Sequence, residues 1–388
     1  MLFSHRRIAL FTAACLLLLP SLSVSTPACV AARAQVITPE VIANGPRSAS
    51  DEQSVRESAR VNMAMLRESV APSAGEAEAA EKFARARKNL SDPLRTVDCS
   101  PLFRTFYSGV LESDLRALAR GENDRLAVAA IYVAGDLATT TGVDVLRDQA
   151  ASTSLVRRYA AFAAHGRVFA ALGRSQPALR ESEIGELVKS LQAAIQRESD
   201  ADLYDVQVRS LLDAASLSGA LEPQAREAVR VLSLALAERL RALNGDPSHS
   251  EILLTNMGVL DSLRAMILND FRRALPESVI NAAVAFSGET LAYVGREVRK
   301  GDLATGPEGA AARKLAANSV RLAETIIYQA KDRYQIGQPG PAPDLGSRIE
   351  AGTRRDDQLY FDGLLNVIGP SGILRDRRFQ FAAGWFSY

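Results

Sequence analysis

The sequence predicts an all-α protein in which antiparallel helical hairpins stack as an irregular α-solenoid or elongated bundle. Three observations predict it. Apolar residues make up 47% of the 388 residues and aromatics only 6%, so Ala, Leu, Val and Ile must fill the core, which is a helix-forming composition. Apolar positions recur at spacings of three and four along most of the chain, as one face of a helix requires. Alternating β-branched runs, which would mark strands, do not occur.

Taken in order, residues 1–34 have the plan of a secretory signal peptide. Arg6 and Arg7 precede a nearly continuous apolar run from Ile8 to Val24, and Ala32-Arg33-Ala34 supplies an A-x-A site. Pro20 interrupts the run, which is short for a membrane span of about 20 residues. The expectation is an exported protein, periplasmic or extracellular, with no integral span after cleavage. Residues 35–49, with Pro39, Gly45 and Pro46, read as a flexible leader.

A helical pair is expected over 50–92. Val55, Ala59, Met63, Leu66 and Val70 form the stripe of its first helix, a charged second helix runs from Glu76 to Leu90, and Asp92-Pro93 punctuates the chain. The body, 93–335, is helical almost without a gap. Its clearest faces are Val229, Leu232, Leu236, Leu240 and Leu243; Leu253, Met257, Leu260, Leu263, Ile267 and Phe271; and Ile280, Val284, Leu291, Val294 and Val298. Breaks are expected at Gly121, Thr141-Gly142, Gly173, Gly219, Asn244-Gly245, Pro276, Gly301 and Gly306-Pro307. Ser248 and Glu251 form a capping box, and Pro177 and Pro223 suit first helical turns. Residues 336–354 read as a Pro/Gly-rich loop, and 355–388 as a short helix with an aromatic tail.

Helices separated by two to six residues pack antiparallel to their neighbours. Three stretches point to stacking: Asp124 to Ala130, Leu155 to Ala161 and Asp205 to Leu212, each with aliphatics around a basic residue, at Arg125, Arg158 and Arg209. They resemble the second helix of HEAT-like α-helical repeats over about residues 102–243. The arginine spacings are irregular, 33 and 51 residues. That resemblance implies an interaction scaffold.

Charge excludes some functions. Removing Arg6, Arg7 and Arg33 leaves 43 basic residues against 45 acidic. Such a balance builds no field to steer nucleic acid, and none is expected as a partner. The basic residues are 40 Arg and 6 Lys, scattered rather than clustered, as GC-rich codon usage would leave them.

Searches for catalytic patterns return none: no H-E-x-x-H, C-x-x-C, phosphate loop, G-x-S-x-G or G-x-G-x-x-G. Cleavage would remove Cys15 and Cys29 and leave Cys99, read as a buried structural thiol. His165 lies three residues after Phe162 beside an apolar stripe and reads as structural. His249 sits inside the Ser248–Glu251 box and reads as a solvated first-turn residue. The pairs Glu181/Glu183, Asp200/Asp202 and Asp356/Asp357 read as solvated faces and first-turn acids. Asn89-Leu90-Ser91 is a glycosylation sequon only in a eukaryotic setting. No catalytic, cofactor-binding or metal-ligating residue is therefore assigned.

The expectation is a non-enzymatic, exported helical scaffold or protein-interaction module of the cell envelope, with a protein or envelope component as partner. The alternative is a helical-toroid enzyme acting on polysaccharide, which would gather His165, an acid pair and aromatics in one cleft. Five of the last ten residues are aromatic: Phe379, Phe381, Trp385, Phe386 and Tyr388. They are expected to fold back as a cap on the last helices, with a partner-docking tail as the competing reading.

Overall fold

The computed structural model describes residues 36–388 apart from 71–74, 244–248, 270–274, 302, 304–308, 339 and 383. The signal-like segment, Cys15, Cys29, Ser248, Phe271, Asn244-Gly245 and Gly306-Pro307 lie outside the described residues. Among those residues there are fifteen α-helices and no strand. They are α1 (Pro39–Asn44), α2 (Ala49–Glu68), α3 (Glu76–Arg95), α4 (Pro101–Arg120), α5 (Asp124–Leu137), α6 (Thr140–Ala150), α7 (Leu155–Arg174) and α8 (Glu181–Arg197), then α9 (Ala201–Ala215), α10 (Glu222–Ala242), α11 (His249–Asn269), α12 (Glu277–Lys300), α13 (Ala310–Arg333), α14 (Leu345–Ala351) and α15 (Arg354–Ile368).

Local chemistry sets the starts. Ser48 and Asp51 form a reciprocal capping box on α2. Ser100, Asn123, Thr139, Asp200 and Thr353 each accept a first-turn N–H of their helix, which satisfies donors that would otherwise be orphaned.

Helices two apart in the chain pack on one another. In one row α8 lies on α10 and α10 on α12; in the other α5 lies on α7, α7 on α9 and α11 on α13. The hairpin α2/α3 continues both rows, α2 against α4 and α3 against α5. This all-helical stacking is compatible with a helical repeat solenoid. The predicted faces supply the core: Val55, Leu66, Leu232, Leu236, Leu240, Leu260, Ile280, Val284 and Leu291 are all buried.

Polar rungs tie successive members of each row. Arg67 pairs with Asp114, Arg120 with Asp148 at 2.6 Å, Gln196 bonds Glu238, and Arg241 pairs with Glu289. In the other row Asp136, nearly fully buried, holds Arg95 at 2.9 Å and Arg167 at 3.1 Å, and Arg157 reaches Asp124 at 2.6 Å. Tyr204 donates to Asn256 at 2.6 Å. The exposed rungs contribute little each, whereas loss of a partner from buried Asp136 or Glu289 would leave a buried charge uncompensated and be the most costly to the fold.

Several sequence expectations are corrected. The segment read as a flexible leader carries α1, and Ile37, Val41 and Ile42 are buried; Ser100 donates both its N–H and its hydroxyl to the Ile42 carbonyl. Helix α3 runs through Pro93 and ends two residues later, because a proline in a last turn costs less than one mid-helix. The break expected at Thr141-Gly142 falls instead at Ala138, whose φ of 49° ends α5. Gly142 lies inside α6, where a Cβ would stand 2.4 Å from the Ala134 carbonyl oxygen. Gly173 lies within α7, and Pro177 lies in the loop before α8. The Pro/Gly-rich loop contains α14, with Leu345 and Ile349 buried.

The aromatic tail folds onto α12. Phe379 and Phe386 are buried, and Phe381, Trp385 and Tyr388 pack partly buried beside them. Gly288 makes the seat, since a Cβ there would stand 2.5 Å from the Phe386 ring. Arg241 lies 4.5 Å over the Trp385 ring, and Arg296 and Arg299 donate to the main-chain oxygens of Ser387 and Tyr388.

Candidate functional site

A cleft of about 560 Å³ lies among α10, α11, α12 and the end of α9. Helical periodicity builds each wall. On α10 the positions 222, 225, 226 and 229 share a face; on α11 positions 262, 263, 266 and 267 do; on α12 Val279 and Ala283 lie one turn apart. The cleft exists because the row loosens here: α11 packs closely on α13 and only slightly on α9 and α12.

Its lining is largely apolar: Leu217, Val229, Leu263, Met266, Ile267 and Val279. Its two charged lining residues, Glu222 and Arg226, pair with each other. Arg226 donates to Glu222 at 2.6 Å; on the adjoining surface of α10, outside the cleft, Arg230 donates twice to Glu227, at 2.8 and 2.6 Å. The Arg230 bonds hold the Glu227 carboxyl below its ordinary range. The Ser262 hydroxyl donates to the Gly258 carbonyl at 3.0 Å. Paired charges around an apolar wall suit a complementary apolar surface better than an ion.

None of the residues weighed from sequence for catalysis or metal binding lines this cleft. His165 is buried on α7, and its Nδ1 has no partner. Burial, with Arg147 adding, pushes its imidazole down to about 4, so it is neutral at physiological pH. His249 opens α11, and its side chain lies outside the described residues. Cys99 is buried, and burial raises its thiol against the opposing pull of Arg104.

The acid pairs sit at three separate helix starts. Glu183 accepts the Arg180 N–H at 2.7 Å and the Thr140 hydroxyl at 2.8 Å. Asp200 caps α9, and Asp356 accepts the Thr353 hydroxyl. The sequon Asn89 donates to Asn62 at 3.0 Å, and Ser91 is buried within α3. Among the described residues no three His, Cys, Asp or Glu side chains are placed to hold a metal ion. No described helix is long and apolar enough to cross a membrane.

Sequence reasoning missed two surfaces. The cleft walls were legible as helix faces, but the gap between them depends on how far α11 stands off its neighbours. Leu155, Val156 and Tyr159 at the start of α7 are exposed rather than core, although their stretch has the aliphatic pattern of a packed repeat. Comparison with protein-family models and with curated proteins finds no match for this chain.

Proposed function

We propose that the protein is an exported, non-enzymatic helical scaffold of the cell envelope that docks an apolar segment of a partner protein. The observation that carries this reading is the apolar cleft between α10 and α11. Its walls come from helix faces, and its charged lining residues pair with each other, so shape and apolar contact set what fits. The exposed Leu155–Tyr159 face of α7 offers a second contact. Kinship with HEAT-like repeats belongs to the same proposal. In its support, Arg125, Arg158 and Arg209 fall on α5, α7 and α9, three successive members of one row.

The test is retention of a defined envelope protein by the tagged full chain, compared between the wild type and Met266→Glu, which places a charge on a half-exposed wall of the cleft. Retention lost in the variant supports the proposal. Equal retention by both, or turnover of a glycan panel by the wild type, contradicts it.

A further inference from the structure

The joint between α13 and α14 buries an acid that the docking proposal does not use. Glu324 on α13 is 2% exposed. Its Oε2 accepts the Leu345 N–H at 3.0 Å, and its Oε1 has no partner. Arg321, one turn earlier, holds the other flank of α14. It donates to Ser347 Oγ at 3.2 Å, pairs with Glu350 and lies 3.7 Å from Asp344. The surfaces meet without a gap, since a Cβ on Gly346 would stand 2.6 Å from the Ala317 carbonyl oxygen. The chain enters α14 through Asp344 at a φ of 55°, a left-handed conformation that a non-glycine residue adopts at some cost. The start of α14 thus covers Glu324.

The titratable and charged groups facing this acid are Arg321 and Tyr328 on α13, Asp344 ahead of α14, and Tyr360 on α15. Burial raises the Glu324 carboxyl to about 7; the Leu345 and Asp344 backbone N–H groups and Arg321 oppose the rise, and the Asp344 carboxylate charge adds to it.

We propose that the α13–α14 joint is a proton-linked hinge: α14 docks on α13 while Glu324 carries a proton, and loss of that proton loosens α14. The sign follows from linkage. Docked Glu324 holds its proton more tightly than the same side chain in water, where the ordinary value is 4.5, so low pH favours docking. The docked-to-lifted ratio falls about tenfold per pH unit between pH 4.5 and 7 and levels off above that. The total is roughly two orders of magnitude.

The experiment is amide hydrogen exchange of residues 345–351 in the full chain from pH 5 to 9, corrected for intrinsic rates and referenced to α5. Wild-type protection is expected to fall about a hundredfold from pH 5 to pH 8. In Glu324→Gln, neutral at every pH and still an acceptor for Leu345, protection stays high and flat. Should that variant fail to fold, Asp344→Asn serves instead; it removes the neighbouring negative charge and moves the wild-type transition to lower pH. Flat wild-type protection, a transition that survives Glu324→Gln, or a midpoint unmoved by Asp344→Asn would overturn the hinge.

Discussion

The Arg104 guanidinium, buried in α4, donates to the Leu94 carbonyl in the last turn of α3 at 2.6 Å. It also donates to the carbonyls of Asp136 and Leu137 at the end of α5, at 2.7 and 3.2 Å, and to the Ser175 hydroxyl that follows α7 at 3.2 Å. One cation thus satisfies acceptors at three helix ends, where carbonyls lack partners within their own helix.

Arg104→Met is expected to destabilise the protein by about 3 kcal/mol, because it strips buried carbonyls of their donor. Arg104→Lys should recover only part of this, since an ammonium cannot span the fork. Urea unfolding measures both. A neutral Arg104→Met would mean that water reaches these helix ends.

Deleting residues 379–388 is expected to lower the melting temperature and expose dye-binding apolar surface, since burial of Phe379 and Phe386 contributes about 1.5–3 kcal/mol each. Trp385 is the chain's only tryptophan. Arg241→Met, which unpairs buried Glu289 and removes the cation over the indole, should shift its emission to the red. Unchanged melting on deletion, with loss of a binding partner, would make the segment a docking tail and not a cap.

Leu236→Ala should cost about 2–5 kcal/mol, as expected of a fully buried side chain on α10. Ile267→Ala should cost less than Leu236→Ala, because Ile267 borders the cleft and its removal widens a space already open. Denaturant titration ranks the two. Equal losses would place Ile267 in closed core.

His165 gives a pH dependence opposite to that of Glu324. Its imidazole is depressed to about 4 in the fold and has an ordinary value of 6.5 when unfolded. The unfolded chain therefore takes up the proton first as pH falls. Between pH 6.5 and 4 the wild type should lose about 1.4 kcal/mol per pH unit relative to His165→Phe, up to roughly 3 kcal/mol. Over nearly the same range, falling pH relieves the charge on Glu324, so the two slopes offset and only the difference from each variant isolates them. Parallel stability curves for wild type and His165→Phe would show that His165 is solvated.

The helices were legible in the sequence because periodicity and caps are local. The faces of α10 and α12 were read correctly from Val229 to Leu243 and from Ile280 to Val294. What failed was tertiary. Ile37, Val41 and Ile42 lie in a segment rich in turn residues and are buried where α1 packs against α4, with Ser100 bonded to the Ile42 carbonyl. Leu345 and Ile349 make α14 out of an apparent loop by packing on α13. The cleft left no sequence signal, since Leu263 and Met266 have the same spacing whether α11 closes on α9 or stands away from it.

The central claim, that the cleft between α10 and α11 is where a partner docks, is tested most directly by a photo-crosslinking residue at Ser262, on its half-exposed wall. In intact cells the account predicts an adduct with one defined protein that disappears when Met266→Glu is added. A crosslinker at Ser262 that yields no adduct, or the same adduct with and without Met266→Glu, would contradict it.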